Sequence, residues 1–411
     1  MLATVSFALL LASLRVLASP IVVRDSPITL PVARRVNATG AANLVKMEQA
    51  RARALSNRST AAKFHTNELP SYSIPATNQF VEYVVTVGVG SPPTDYLLVV
   101  DTGSSNTWIG NGKKYIKTAT AIDTKQSLDV EYGSGIMLGE EWLDEVHLTP
   151  GITLTNQSIG AALIAIGFDG VNGVLGIGPQ ALTYNTLFPN STSTITTVTG
   201  NAFLQGFIDQ NMVGISFEPT NTNESVTNGQ LTFGGVDATK YTGELTYVPV
   251  TTTQPAGAYF GINQTISYGS ESVPILPSLA GIVDTGTTLF LLPTDVIAKY
   301  QQVTGAQMDQ NVGLLSLTPD QFANLESLFV NIGGQTFEFT PTAQAFPRSL
   351  NAAFGGSDDL VYLVVADIGY ESGSGLDFIN GMTFLERFYT VYDAGTHRFG
   401  IATTASTYAT N

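Results

Sequence analysis

Val99-Val100-Asp101-Thr102-Gly103-Ser104-Ser105 and Ile282-Val283-Asp284-Thr285-Gly286-Thr287-Thr288 follow one pattern written twice. Each run has two β-branched residues, then Asp-Thr-Gly, then two hydroxyl residues, and the aspartates lie 183 positions apart. One Asp-Thr-Gly alone reads as a turn, since Asp and Gly serve turns for ordinary backbone reasons. A matched pair in matched surroundings reads as two copies of one loop meeting at a shared site. Two carboxyls at hydrogen-bonding distance cannot readily both ionise, so they hold one proton between them and can act as acid and base together.

Outward from these loops, the chain reads as strand and turn. Of its 411 residues only 12% are charged, while Gly, Thr, Ser and β-branched residues abound, a mix that favours strands. Residues 81–100, VEYVVTVGVGSPPTDYLLVV, read as two strands around a Gly-Ser-Pro-Pro turn, the second running into Asp101. Further short strands are expected at Leu163–Ile166, Val174–Ile177, Gly214–Glu218, Gln230–Phe233 and Leu245–Val248. Short helices are expected at Phe203–Asn211, Pro293–Val303 and Pro319–Phe329. The fold class is therefore all-β, mainly antiparallel, with two β lobes and a few short helices.

The length exceeds one hydrophobic core, so two lobes with processed segments are expected. Residues 1–18 read as a signal peptide, with small residues around Ala18 but Arg15 inside the apolar run. Residues 19–71 form a basic leader, 72–248 the first lobe and 249–411 the second. Between Ser19 and Ser71 there are eight Lys or Arg against three acids, whereas from Tyr72 onward nine basic residues face thirty acidic ones. A basic leader on an acidic body suggests electrostatic docking of a removable segment. The acidity argues against nucleic acid or an anionic membrane as partner, and points to work in acid. No later apolar run suits a membrane anchor. Cysteine is absent, so a large core must replace disulfides and no thiol nucleophile exists. Sequons at Asn156, Asn190, Asn223 and Asn263 fit a glycosylated secreted protein, with an acidic vacuole as the other destination.

Other chemistries find little support. The three histidines, His65, His147 and His397, sit in no His-Glu-x-x-His pattern, and there is no Gly-x-Ser-x-Gly elbow. No metal and no cofactor is expected. The cluster Glu140-Glu141-Asp144-Glu145 reads as a solvated strand and loop rather than a pair of glycosidase carboxylates.

At the level of ordered motifs, residues 81–402 resemble the pepsin-type aspartic proteases of the secreted fungal kind. The resemblance rests on the stretch ending in DTGSSNTW, on Val130-Glu131-Tyr132-Gly133-Ser134-Gly135, on GVLGIG at 173–178, on GIVDTGTT, and on FLERFYTVYDAGTHRFGIA. It implies a cleft between two β lobes with Asp101 and Asp284 as the catalytic pair, activating a water on internal peptide bonds flanked by apolar side chains. Gly103 and Gly286 would bring amide donors close, Ser104 and Thr287 would bond the outer carboxylate oxygens, and Thr102 and Thr285 would lock the loops together. Tyr132, Gly133 and Ser134 correspond to a flap over the substrate, with Trp108 holding its tyrosine. Lys63 would be the leader's inhibitory cation on the pair. Polypeptide substrates and the chain's own leader are the implied partners, and a monomer the implied state. The segments at Gly176 and Gly381 would thread beside the two loops, although Asn380 and Met382 depart from the usual apolar and acidic neighbours of the second. The competing class is a scaffold of the same shape that binds peptides without cutting them, which would be expected to lose an Asp or a neighbour.

Overall fold

The computed structural model describes residues 27–36, 44–58, 81–133, 135–149, 151–222 and 224–410. Its first elements belong to the leader: strand β1 (Ile28–Val36) and helix α1 (Leu44–Arg58). The first lobe follows with β2 (Val81–Val89), β3 (Thr94–Asp101), β4 (Thr107–Ile109), β5 (Ile122–Tyr132), β6 (Gly135–Thr149), β7 (Ile152–Ile166), β8 (Gly173–Gly176) and β9 (Leu187–Phe188). Helix α2 (Val198–Leu204), β10 (Met212–Phe217), β11 (Val226–Phe233) and β12 (Thr242–Pro249) lead toward the second lobe, which opens with β13 (Gly261–Tyr268), β14 (Val273–Val283), β15 (Phe290–Leu292) and α3 (Thr294–Thr304). The architecture is mainly antiparallel β, as its composition requires.

The leader strand is part of the largest sheet. In β1, Ile28, Leu30, Val32 and Arg34 point inward while Thr29 and Pro31 are exposed, the alternation of a half-buried strand. It pairs antiparallel with β11 on one side and β2 on the other, Leu30 facing Leu231 and Arg34 facing Tyr83. That insertion joins the first lobe to the strands β12, Arg398–Thr403, Phe388–Asp393, β10 and β11, giving fourteen strands in one sheet. The second lobe has its own seven-stranded sheet, in the order Gln335–Phe339, Leu328–Ile332, β13, β14, Ile379–Asn380, β15 and Val365–Asp367. A Phe cluster of 290, 339, 384 and 388 packs against it, all fully buried.

Two expected helices shift. The one at 203–211 instead spans Val198–Leu204, because Thr197 caps it by accepting from the Gly200 N–H at 3.2 Å and Gly206, at φ 72°, ends it. The one at 319–329 stops after Phe322: Thr318, Pro319 and Gln321 form a capping box, but Leu328–Ile332 alternates buried and half-buried residues and joins β13 as a strand. The expected helix at 293–303 is α3, flanked by Pro293 and by Gly305 at φ 74°.

A cleft with two aspartates and a leader arginine

Each aspartate follows the last apolar residues of a strand lined by a parallel neighbour. Asp101 ends β3 opposite Gly176 of β8, and its carbonyl accepts the Ile177 N–H at 2.9 Å. Asp284 follows β14, whose Val283 lies opposite Asn380, and its N–H donates to the Asn380 carbonyl at 3.1 Å. The strand-plus-parallel-neighbour geometry carries both side chains to one place, where Asp101 is 2% and Asp284 0% exposed.

The loops are tied to each other through their threonines. The Thr102 N–H donates to Thr285 Oγ1 and the Thr285 N–H to Thr102 Oγ1, both at 3.0 Å. Thr285 Oγ1 also donates to the Val100 carbonyl at 2.8 Å. This reciprocal lock of main-chain N–H groups on side-chain hydroxyls holds the two loops together and so fixes the separation of the carboxyls.

Each carboxylate then receives the same two donors. Ser104 Oγ donates to Asp101 Oδ2, and Thr287 Oγ1 to Asp284 Oδ2 at 2.6 Å. The Gly103 N–H donates to Asp101 Oδ1 at 3.0 Å and the Gly286 N–H to Asp284 Oδ1 at 3.2 Å. A Cβ on either glycine would clash with the opposite carboxylate or with Arg51, which is why glycine stands here.

Arg51, from the leader helix α1, bridges the pair. Its Nη2 donates to Asp101 Oδ1 at 2.6 Å and to Asp284 Oδ1 at 3.1 Å, and its Nε donates to Asp284 Oδ2 at 2.8 Å and Thr287 Oγ1 at 3.2 Å. Burial alone would raise the Asp284 carboxyl and lower the Arg51 guanidinium. The Arg51 charge, with the Thr287 hydroxyl and Gly286 amide, overrides this for Asp284 and holds it below the usual carboxylate range, while the Asp101 and then the Asp284 charge hold Arg51 well above its own. One fixed cation thus stands in for the proton that two such carboxyls would otherwise share.

Neighbouring leader residues deepen the docking. Glu48 Oε1 accepts the Thr288 N–H at 2.8 Å, Gln49 Nε2 donates to the Asp367 carbonyl at 3.0 Å, and Tyr259 Oη donates to the Leu55 carbonyl at 2.8 Å. Burial pushes the Glu48 carboxyl up to about 7 against the lowering pull of Thr288 and Arg51. At the other end, Arg34 pairs with Glu386 at 2.7 Å, both buried.

The hairpin of β5 and β6 lies over α1. Gly133 is packed so close to Arg51 that any Cβ there would collide with the helix backbone. Behind it, Trp108 Nε1 donates to Tyr132 Oη at 2.7 Å, and the Phe168 ring meets both rings edge-on, with centroids 4.8 and 5.0 Å away. Val99, Phe168 and Val174 line a small cavity beside Arg51, Asp101 and Tyr132, whereas Ile109, Ile282 and Leu289 are core.

Lys63 and Ser134 lie outside the described residues. Among the described residues, the cation on the two carboxylates is Arg51, twelve positions before Lys63. Arg51 lies in LVKMEQARARALSNR, a run of good helix formers in which nothing local marks it apart from Arg53. The acidic cluster also differs from expectation. Asp144 is fully buried and accepts from Tyr115 Oη at 2.7 Å and from Thr118 and Thr120, anchoring the 115–120 segment, while Glu141 accepts from Ser158 Oγ at 2.6 Å. The alternation along β6 breaks at the half-buried Trp142 and Leu143, so these two acids, three positions apart, are both buried, a distinction that a cluster read by composition hides.

The chain is similar to known proteins over most of its length. The family model for eukaryotic aspartyl proteases matches residues 82–404. Polyporopepsin of Irpex lacteus is 59% identical over 339 residues, which is 82% of this chain and 99% of that protein. Pepsin A of Sus scrofa is 28% identical over 345 residues, 79% of this chain and 82% of its own length. The crystal structure of the aspartic proteinase from Irpex lacteus superposes with a TM-score of 0.80 at 50% identity, covering 94% of this chain and 99% of that one.

Proposed function

The chain belongs to the eukaryotic aspartyl protease family, and from that premise we propose a secreted aspartic endopeptidase made as an inactive precursor, with Asp101 and Asp284 as its catalytic pair. The enzyme class follows from the family; the residues and the latency are the proposal. The observation that carries it is the grip of both carboxylates, each with a matched hydroxyl and amide donor, on one leader guanidinium. With the leader gone, the pair regains one shared proton. The ionised member takes a proton from a water as the water oxygen bonds to the peptide carbonyl carbon. The protonated member donates to the developing oxyanion. The resulting gem-diol collapses, the C–N bond breaks, and the amine leaves with a proton from the pair.

Support for specificity comes from the cavity lined by Val99, Phe168 and Val174, which suits an apolar side chain beside the cut bond. Tyr132 and Gly133 are read as the flap, mobile enough to admit a peptide once α1 leaves. Among the described residues no helix is long and apolar enough to cross a membrane. The basic leader against the acidic body, with the Arg34–Glu386 pair buried between them, supports docking by charge.

Cleavage of a denatured protein at about pH 4 after acid treatment of the full chain tests the reading. Cleavage blocked by a statine-type transition-state analogue is expected, whereas folded, processed protein that binds peptides but cuts none would favour the binding scaffold.

Glu48 adds a pH dependence of opposite sign to that of Asp284. Its carboxyl is raised in the docked leader from 4.5 to about 7, so its contribution to docking is full below 4.5 and is lost as pH rises through about 7. Glu48→Gln keeps an acceptor for the Thr288 N–H without a charge to bury. The variant leader should therefore dock roughly tenfold more tightly at neutral pH, with no advantage near pH 4. Inhibition of processed enzyme by parent and variant leader peptides across pH measures this, and equal affinities at neutral pH would contradict it.

A further inference from the structure

Asn380 is where the two halves of the site differ most. Beside the Asp101 loop, the residue preceding Gly176 is Leu175; beside the Asp284 loop, the residue preceding Gly381 is Asn380, and both are fully buried. A buried amide is costly unless its polar atoms are paired. Here Asn380 Nδ2 donates to Gln264 Oε1 at 2.8 Å, and Gln264 Nε2 donates back to Asn380 Oδ1 at 3.1 Å. Gln264, on β13, is 1% exposed, and in the sheet β14 lies between it and strand Ile379–Asn380. The reciprocal bonds thus tie together the two strands that flank the one delivering Asp284.

We propose that Asn380 and Gln264 form a positioning clamp that holds the Asp284 loop in place against the Asp101 loop. The link to the carboxyl is short: the Asn380 carbonyl accepts the Asp284 N–H at 3.1 Å, and the Asn380 backbone is opposite Val283 on one side and Phe290 on the other. Apolar side chains at these positions could slide along the strands, whereas two amides satisfy each other in one register only. The clamp carries no charge. It therefore acts on Asp284 by placing it relative to the ionisable groups around it: Asp101, Tyr392 (whose hydroxyl donates to the Val283 carbonyl at 3.3 Å) and, in the precursor, Arg51 and Glu48. This inference rests on the reading of Asp284 as one of the catalytic pair.

The test uses full-length chain processed in acid, with active sites counted by a tight statine-type inhibitor. In the double variant Asn380→Leu/Gln264→Leu no buried amide is left unpaired, so its thermal unfolding should match or exceed the parent's. Its kcat should nevertheless fall about tenfold, with KM within about twofold, because small misplacements of a reacting group cost rate. The acid limb of its pH–rate profile should move by roughly half a unit as Asp284 shifts against its neighbours. The exchanged pair Asn380→Gln/Gln264→Asn should recover most of the rate. A double variant with parental kcat and pH profile would overturn the clamp. Should the double variant not fold, Gln264→Met, which keeps the volume and breaks the pair, takes its place with the same expected loss of kcat, and parental behaviour again overturns the proposal. Asp284→Asn, its leader removed by an added protease, is run alongside. Activity surviving there removes the underlying dyad reading, whereas an inactive Asp284→Asn beside unaltered clamp variants removes the clamp alone.

Discussion

Asp101→Asn and Asp284→Asn should each lower cleavage of a denatured protein at about pH 4 by roughly 10³-fold or more. Either substitution preserves shape: the amide oxygen can keep the Gly103 or Gly286 N–H, and the Ser104 or Thr287 hydroxyl can turn to accept from the new NH2. What it removes is the site where a proton is held or taken up. An amide cannot take a proton from water, and one carboxyl alone cannot be acid and base at once. The variants must be processed by an added protease, since a chain without activity cannot cut its own leader. Unfolding temperatures close to the parent's would show that the loss is chemical. The main-chain N–H bonds of the threonine lock do not involve the substituted groups, and Thr102 Oγ1 reaches Asp284 Oδ1 only at 3.5 Å, so the fold should stay as it is. Cleavage persisting in both variants would place the active site elsewhere.

Arg51→Ala should release the leader at a pH where the parent stays latent. In the intact chain one guanidinium compensates two buried carboxylates, and removing one partner of such a set costs about 3–5 kcal/mol. The carboxyls recover part of that by sharing a proton, so a net loosening of roughly 10²-fold is expected at neutral pH. The direction with pH follows from Asp284. Its carboxyl is held below the ordinary range while Arg51 is docked, so it contributes to docking above its ordinary value, and that contribution fades as pH falls through the depressed one. Acid therefore loosens the parent by titrating Asp284, never the arginine. Arg51→Ala lacks this dependence and should process itself at about pH 6, where the parent remains whole. Arg51→Lys keeps the charge but cannot bridge two carboxylates through a planar fork, and should fall between them. N-terminal sequencing of products over time reads all three. Parental latency in Arg51→Ala at every pH would show that α1 shuts the cleft by bulk alone.

Much of the site was legible because its chemistry is local. Asp101 to Ser104 and Asp284 to Thr287 supply their own amide and hydroxyl donors within three residues, so the spacing carries the geometry. The strands β3 and β14 are runs of apolar and β-branched residues that lead straight to each aspartate. Alternation in the leader, Ile28, Leu30, Val32, is likewise the local signature of β1.

Other features depend on contacts hundreds of residues apart. Arg51 meets Asp284 across 233 positions, and nothing in its own neighbourhood separates it from Arg53 or Lys63. Asp144 reads like Glu140, and only the path of the 115–120 segment over β6 makes one buried and the other solvated. Asn380 looked like a departure from pattern until Gln264, 116 residues earlier, supplied its partner. The amino-acid sequence by itself determined the β class and the doubled carboxylate loops, because strand periodicity and short-range donors are written in consecutive residues. Only the tertiary structure decided which cation closes the pair, which acids are buried, and what pairs with the odd amide. Those choices are made by desolvation and long-range hydrogen bonds, which exist only once distant strands have come together.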